Sequence, residues 1–239
     1  MDKPIDIWFH CWAGNEKFYV SQMRLYSYIT DKVNKLKNCG LYDTMSNFYL
    51  VAHGVNNKNE KFFDEIAQCF SKLTLIKIFN PAIGHESDTL NLMLEKYKNT
   101  DENFNVLFFH TKGFSYPELP TQKNWIRYMD LFMINKWKEN QDILKEHDTS
   151  GCFFFAPDEE SRKEGEPDNR KTYAGWFWWA TSEHLKTIQP FTYRMDRGKG
   201  GEFALITSSC KYHVMETGFP DLDLHQVVWC DESIFPAGW

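Results

Sequence analysis

The first 110 residues alternate between short apolar runs and amphipathic stretches, and this alternation restricts the possible folds more than any other feature. Each of the first three runs is followed by a segment in which apolar residues recur at helical spacing. The order β-α-β-α-β-α-β needs crossover connections, and therefore a mainly parallel sheet with helices on its faces. The predicted class is thus α/β, with a Rossmann-type central sheet. The predicted strands span residues 5–10, 48–53, 73–79 and 104–110.

Helical spacing predicts two long helices. The first begins near Glu16 and ends at Gly40, with an apolar stripe that includes Met23 and Tyr26. The second covers residues 122–145, after the fourth strand. A further strand is predicted over residues 152–156, and the polar stretch 158–171 predicts a surface loop.

Length and composition limit the domain organisation and the partners. The chain has 239 residues, of which 42% are hydrophobic, enough for one domain over residues 1–239 with a packed core. The 33 acidic residues outnumber the 27 basic ones, and there is no basic cluster, which argues against nucleic-acid binding. Six scattered cysteines without a C-x-x-C pair indicate reduced thiols. No signal peptide or membrane span is expected, so a cytoplasmic location is predicted.

Three predicted strands end in histidine, namely His10, His53 and His110. Ligands of open parallel sheets bind beyond the carboxyl ends of the strands, so these side chains should meet at the ligand edge. Thr111 and Lys112 follow at once and add a hydroxyl and a cation, which suit a phosphate or a sugar hydroxyl. Each histidine could equally be a strand-end residue that bonds only the backbone.

Three further segments in the second half carry candidate chemistry. The aromatic segment 173–180, YAGWFWWA, could line a sugar-binding wall, although part of it must be core. Glu202 follows a glycine-rich run and could act as a general base or simply begin a helix. Asp221, Asp223 and His225 have ligand types that suit Mn²⁺ or Mg²⁺, but their alternation also fits a plain surface strand or turn.

Several of these segments resemble, in collinear order, a family of bacterial and viral glycosyltransferases. The family's marks are a strand running into His-Thr-Lys-Gly, a helix with Trp, Arg and Met, and a Gly-x-Phe-Trp-Trp segment. Here they are residues 106–113, then Trp125, Arg127 and Met129, then residues 175–179. Trp176 stands where that family has Asn, and the usual Asp-x-Asp metal motif is absent from the central strand.

The resemblance implies a GT-A-like fold and transfer of a sugar from a nucleotide-sugar donor, by analogy a UDP-sugar, in glycan or polysaccharide synthesis. Residues 1–113 would form the nucleotide-sugar-binding half, and residues 114–239 the acceptor side. The acceptor would be a glycan or a lipid-linked sugar. Expected donor-binding residues are His10, Trp12, Glu86, Thr89, His110, Thr111 and Lys112; expected acceptor-binding residues are Arg127, Trp178 and Trp179; the expected catalytic base is Glu202.

Two other functions remain open from the sequence. A metal-dependent hydrolase could use the three strand-end histidines around zinc, although no H-x-H or H-E-x-x-H pattern is present. A non-catalytic carbohydrate-binding module would keep the tryptophan wall without the chemistry. Whether a transferase would invert or retain configuration is also open.

Overall fold

The first half of the chain folds as the alternation predicts. The computed structural model describes residues 3–13, 21–79, 86–111, 120–155, 171–173, 175–190 and 205–215. Its first elements are β1 (Ile5–Trp12), α1 (Gln22–Asn38), α2 (Leu41–Thr44), β2 (Asn47–His53), α3 (Glu60–Gln68), β3 (Leu73–Ile78), α4 (Ser87–Lys98) and β4 (Asn105–His110).

The second half has shorter elements. They are α5 (Pro120–Asp130), a π-helical turn (Leu131–Asn135), α6 (Trp137–Ile143), β5 (Thr149–Gly151), β6 (Phe154–Phe155), β7 (Thr172–Tyr173), β8 (Trp178–Thr181), α7 (Ser182–Thr187) and β9 (Tyr212–Val214). None of the helices in the described ranges is both long and apolar enough to cross a membrane.

Within the described residues, seven strands form one sheet in the order β3-β2-β1-β4-β8-β5-β9. Strands β1 to β4 are mutually parallel, β8 is antiparallel to both of its neighbours, and β5 is parallel to β9. The predicted α/β class with a mainly parallel central sheet flanked by helices is confirmed. Strands β6 and β7 form a separate antiparallel pair.

Helix α1 begins later than predicted and buries a different stripe. Ser21 caps it by accepting a hydrogen bond from the amide of Arg24 at 3.2 Å. Leu25 and Ile29 lie on the buried face, whereas Met23 is 83% and Tyr26 is 46% exposed. The predicted stripe was wrong at Met23 and Tyr26, because the helix packs the face that carries Leu25 and Ile29 against the sheet.

The predicted helix over residues 122–145 is present but interrupted. Its first part, α5, ends at Asp130, and the π-helical turn follows before α6. At the break, the carboxylate of Asp130 is fully buried and receives hydrogen bonds from Lys32 and Lys35 of α1. A fixed ion pair at this point ties the interrupted helix to α1.

The two faces of the sheet carry separate apolar cores. One core contains Phe9 and Phe109 with α1 and the α5–α6 segment, and the other contains Phe108 with α4 and α7. Neighbouring residues of β4 thus point into different cores, and both are fully buried. This burial on both faces explains the unbroken apolar run of that strand.

Candidate functional site

The strand-end histidines lie together at the carboxyl edge of the parallel strands. His10 of β1 and His110 of β4 are register partners, and His53 of β2 pairs with Trp12 of β1. The chain runs from β1 outward to β3 and then returns to the other side of β1 with β4, so the β1/β4 boundary is the topological switch point. Ligands of open α/β sheets bind in the crevice at such a point.

The first turn of α4 bonds two of these histidines. Nδ1 of His10 lies 2.7 Å from the hydroxyl of Thr89, and Nε2 of His53 donates to a carboxylate oxygen of Asp88 at 2.8 Å. The two imidazole rings are 5.6 Å apart. Asp88 was missed by the sequence reasoning, although an acidic residue in the first turn of a helix that faces this edge was a usable signal.

His53 retains a nitrogen for a further bond. Nε2 is used in the bond to Asp88, and Nδ1 is the nitrogen that is left. This Nδ1 is buried and has no hydrogen-bond partner among the described residues. Buried polar atoms are rarely left unsatisfied, so a hydrogen-bond partner from outside this set is expected here.

His110 is bonded at both ring nitrogens. Nε2 donates to the carbonyl of Gly175 at 2.9 Å, and Nδ1 lies 3.1 Å from a carboxylate oxygen of Glu86. A carbonyl and a carboxylate both accept hydrogen bonds, so each ring nitrogen of His110 faces an acceptor. Burial acts to raise the pKa of Glu86, but the hydrogen bond and charge of His110, with the charge of His10, hold it well below its ordinary value.

Backbone contacts fix the ends of β1 and β4 relative to each other. The hydroxyl of Thr111 accepts from the amide of Trp12 at 3.0 Å, and the amide of Thr111 donates to the carbonyl of His10 at 3.0 Å. Tyr28 of α1 donates its hydroxyl to the carbonyl of His110 at 3.2 Å. These hydrogen bonds hold the ends of β1 and β4 together at the positions that carry the candidate side chains.

The three segments that carry the family resemblance meet at this edge. His110 bonds the carbonyl of Gly175, and a Cβ at Gly175 would lie 2.5 Å from the sulfur of Met129 and 3.1 Å from the ring of Trp125. Gly175 also has a φ of +94°, so only glycine fits without strain. The role of Gly175 was not predicted as part of the site.

Trp176 continues this turn in an unusual conformation. Its φ is +57°, in the left-handed region that bulky residues rarely occupy, and its side chain is buried against Phe108. Left-handed backbone at a bulky side chain is a form of strain that clusters at functional sites.

The predicted acceptor residues Trp178 and Trp179 face opposite sides of the sheet. Arg127 is half-buried on α5. Trp178 is buried and stacked on Phe108 with ring centroids 5.0 Å apart, and Trp179 is fully buried and donates to the carbonyl of Met133 at 2.8 Å. Their placement argues against an acceptor contact by Trp178 and Trp179, because both indoles are enclosed in the two cores of the sheet.

Several predicted residues lie outside the described residues. These are the cation Lys112, the candidate base Glu202 and the candidate metal ligands Asp221, Asp223 and His225. The predicted surface loop 158–171 also lies outside the described residues, apart from the half-buried Lys171.

Within the described ranges, one group of three side chains could hold a metal ion, and it is not at the histidine edge. Asp148, His184 and Cys210 each offer one ligand atom, and these atoms lie within 4.8 Å of one another. The group lies where β5 and β9 begin, at the amino edge of the sheet. The strand-end histidines form no such group in the described part of the chain.

Comparisons with known proteins leave the family open. No protein-family model and no curated protein matches the sequence. Among solved structures, the chain is similar to the crystal structure of 4-diphosphocytidyl-2C-methyl-D-erythritol synthase, with 9% identity and a TM-score of 0.36, over 80% of this chain and 82% of that one. A superposition this loose carries no functional argument. The resemblance to the His-Thr-Lys-Gly glycosyltransferases therefore stays a prediction.

Proposed function

We propose that this chain is a glycosyltransferase that moves a sugar from a nucleotide-sugar donor to an acceptor hydroxyl. The observation that supports this most is the pairing of His10 with His110 at the β1/β4 switch point, where Thr89 and Glu86 bond their rings. Polar groups that converge at the switch point of a parallel sheet are the usual setting for a nucleotide. The UDP-sugar donor is the choice that the family resemblance favours.

The charges at this edge suit a donor that carries both hydroxyls and a diphosphate. Lys112, by direct contact, and a protonated His110 would stabilise the negative diphosphate. The carboxylate of Asp88 is about a third exposed and could accept hydrogen bonds from the ribose hydroxyls. Trp12 is half-buried at the end of β1, where its indole would stack on the base or sugar.

The transfer itself needs a base and a stabilised leaving group. The acceptor oxygen forms a bond to the anomeric carbon of the donor, the bond from that carbon to the diphosphate oxygen breaks, and the nucleoside diphosphate leaves. The acceptor proton passes to a carboxylate, for which Glu202 is the proposed residue if configuration is inverted. A divalent ion, Mn²⁺ or Mg²⁺, held by Asp221, Asp223 and His225 would add charge to the leaving group.

The geometry favours transfer over a zinc hydrolase built on the three histidines. Both nitrogens of His110 are engaged, so metal binding there would break its bond to Glu86 or to Gly175. A carbohydrate-binding module built on the predicted tryptophan wall would need exposed aromatic faces there, and Trp178 and Trp179 are enclosed in the cores.

Two measurements on the purified chain test the proposal. A thermal-unfolding screen with UDP, GDP, CDP and ADP, each with and without Mn²⁺, should show stabilisation by one nucleoside diphosphate, of about 2.7 kcal/mol at 100 times its Kd. Release of that nucleotide from its sugar donors should then be seen. A binding module would bind sugar and release no nucleotide, and a chain that no nucleotide stabilises would contradict the proposal.

The role of Glu202 has its own test. Glu202→Gln keeps the shape of the side chain but cannot take a proton, so turnover should fall about 10²–10⁴-fold with donor affinity nearly unchanged. An effect confined to the acceptor KM would make Glu202 a positioning residue. Normal rates in the variant would remove it from the mechanism, and Asp221 and Asp223 would be the next candidates.

A further inference from the structure

A second cluster of chemically capable side chains lies at the opposite edge of the sheet. Asp148 immediately precedes β5, His184 is in α7, and Cys210 lies two residues before β9. This is the amino edge of the parallel strands, because Thr181, the last residue of β8 before α7, pairs with Asn105, the first residue of β4. The five-residue rise of β4 places this edge about 17 Å from that of His110.

We propose that Asp148, His184 and Cys210 form a zinc site that holds the second half of the sheet together. Their three ligand atoms, a carboxylate oxygen, an imidazole nitrogen and a thiol sulfur, lie within 4.8 Å of one another. Tetrahedral zinc with bonds of about 2.0–2.3 Å brings its ligand atoms to about 3.3–3.8 Å from each other. An inward movement of about 1 Å or less closes that gap.

The surroundings orient these side chains as metal ligands are usually oriented. Nε2 of His184 donates to the carbonyl of Leu205 at 2.7 Å, which fixes the ring and leaves the lone pair of the neutral imidazole on the other nitrogen. A histidine that binds a metal commonly donates its other N–H to a carbonyl in this way. One carboxylate oxygen of Asp148 accepts from the amide of Lys211 at 2.8 Å, and the other oxygen is left for a ligand.

The mixture of ligand types favours zinc over the other common metals. Thiolate and imidazole suit zinc, whereas Ca²⁺ and Mg²⁺ are bound by oxygen atoms alone. His184 and Cys210 are buried, and Asp148 is half-buried. The described residues supply three ligands, and a water molecule would take the fourth position.

A metal at this point would add a link between short elements. β5 and β9 have three residues each, and α7 has six. Hydrogen bonds already join these segments: Asp148 donates its amide to the carbonyl of Lys211 at 2.7 Å, its carbonyl accepts from the amide of Thr181 at 2.9 Å, and the sulfur of Cys210 lies 3.5 Å from the hydroxyl of Thr149. The proposed ion would link the same three segments through their side chains, and so stabilise them against local unfolding.

Metal analysis of the full chain tests the proposal. After dialysis against a weak chelator and then zinc, the wild type should hold one zinc that Cys210→Ser and His184→Gln lose, and zinc should raise its Tm. Cobalt in place of zinc should give a thiolate-to-cobalt charge-transfer band that disappears in Cys210→Ser. The matched control is Cys69→Ser, which removes an exposed thiol at the C-terminal end of α3 and should keep both signals.

Asp148→Asn tests the zinc site if Cys210→Ser or His184→Gln does not fold. It keeps the shape of the side chain and the bond from Lys211, and its zinc Kd should rise at least about tenfold while the cobalt band remains. A wild-type chain that binds no zinc, a bound zinc that Cys210→Ser retains, or an unchanged Kd in Asp148→Asn would each overturn the proposal. None of these readouts depends on glycosyl transfer.

Discussion

The ionisation of Glu86 links the stability of the chain to pH. Its pKa is held below the ordinary value by His110 and His10, against the effect of burial. A carboxyl whose pKa is lower in the folded than in the unfolded chain stabilises the fold above its unfolded pKa of about 4.3, and this contribution is lost as pH falls through the folded value. Glu86→Gln should therefore unfold more easily at pH 7 than the wild type, by about 1.5–3 kcal/mol for a lost bond to a charged group.

The difference in the free energy of unfolding between the wild type and Glu86→Gln should depend on pH. Denaturant unfolding at several pH values should show the gap between wild type and Glu86→Gln shrinking as pH falls below about 4.3. The control is Glu95→Gln, an exposed position on the same helix, which should match the wild type throughout. A gap that stays constant down to pH 3 would show that Glu86 is not stabilised by its charge.

At the residue scale, the sequence predicted the location of a side chain correctly where its place along a strand determines that location. His10, His53 and His110 could be placed at one edge because the carboxyl ends of parallel strands coincide. Trp178 and Trp179 could not be placed, since adjacent residues of a strand face opposite sides and only the covering elements decide whether each side is open. Here both sides are covered, and both indoles are buried.

At the scale of elements, the break between α5 and α6 depends on a buried ion pair. Asp130 accepts from Lys32 and Lys35, and burial lowers the pKa of Lys32 to about 8 although Asp130 opposes the shift. Removing the carboxylate leaves a buried cation without compensation, so Asp130→Asn should lower the free energy of unfolding by about 3–5 kcal/mol. Lys32→Met leaves Asp130 paired with Lys35, so it should cost much less.

Urea unfolding of both variants checks this asymmetry. Asp142→Asn is the matched control, because it alters an exposed aspartate of α6 that pairs only at the surface with Lys145. It should stay within about 0.5 kcal/mol of the wild type. Equal losses in Asp130→Asn and Lys32→Met would contradict the account, because they would show that the two charges are needed equally.

Helical spacing predicted which segments form helices. It was less successful for the residue at which a helix begins and for the face that is buried. In α1, the exposed Met23 and Tyr26 belong to the predicted stripe, while Lys32, a charged residue, is fully buried. A pattern that counts only apolar residues cannot anticipate a buried lysine, because its place depends on Asp130, which is 98 residues further along the chain.

At the scale of the whole molecule, the first half was predictable and the second was not. Four parallel strands joined by helices leave few possible orders, because crossovers are right-handed and neighbours in sequence tend to be neighbours in the sheet. The order β4-β8-β5-β9 in the second half could not be predicted by these rules. It places three-residue and four-residue strands by pairings distant in sequence, and such short strands carry no periodic signal.

The central claim is that the β1/β4 edge binds the donor nucleotide, and imidazole ¹⁵N chemical shifts test it most directly. The chain has eight histidines, and His→Gln variants assign their signals. On titration with the nucleoside diphosphate that stabilises the chain most, the signals of His10, His53 and His110 should shift to saturation with one Kd. Those of His147, His184 and His213, near the amino edge, should not move. Shifts confined to the amino-edge histidines, or no shift in either group at saturation, would contradict the account.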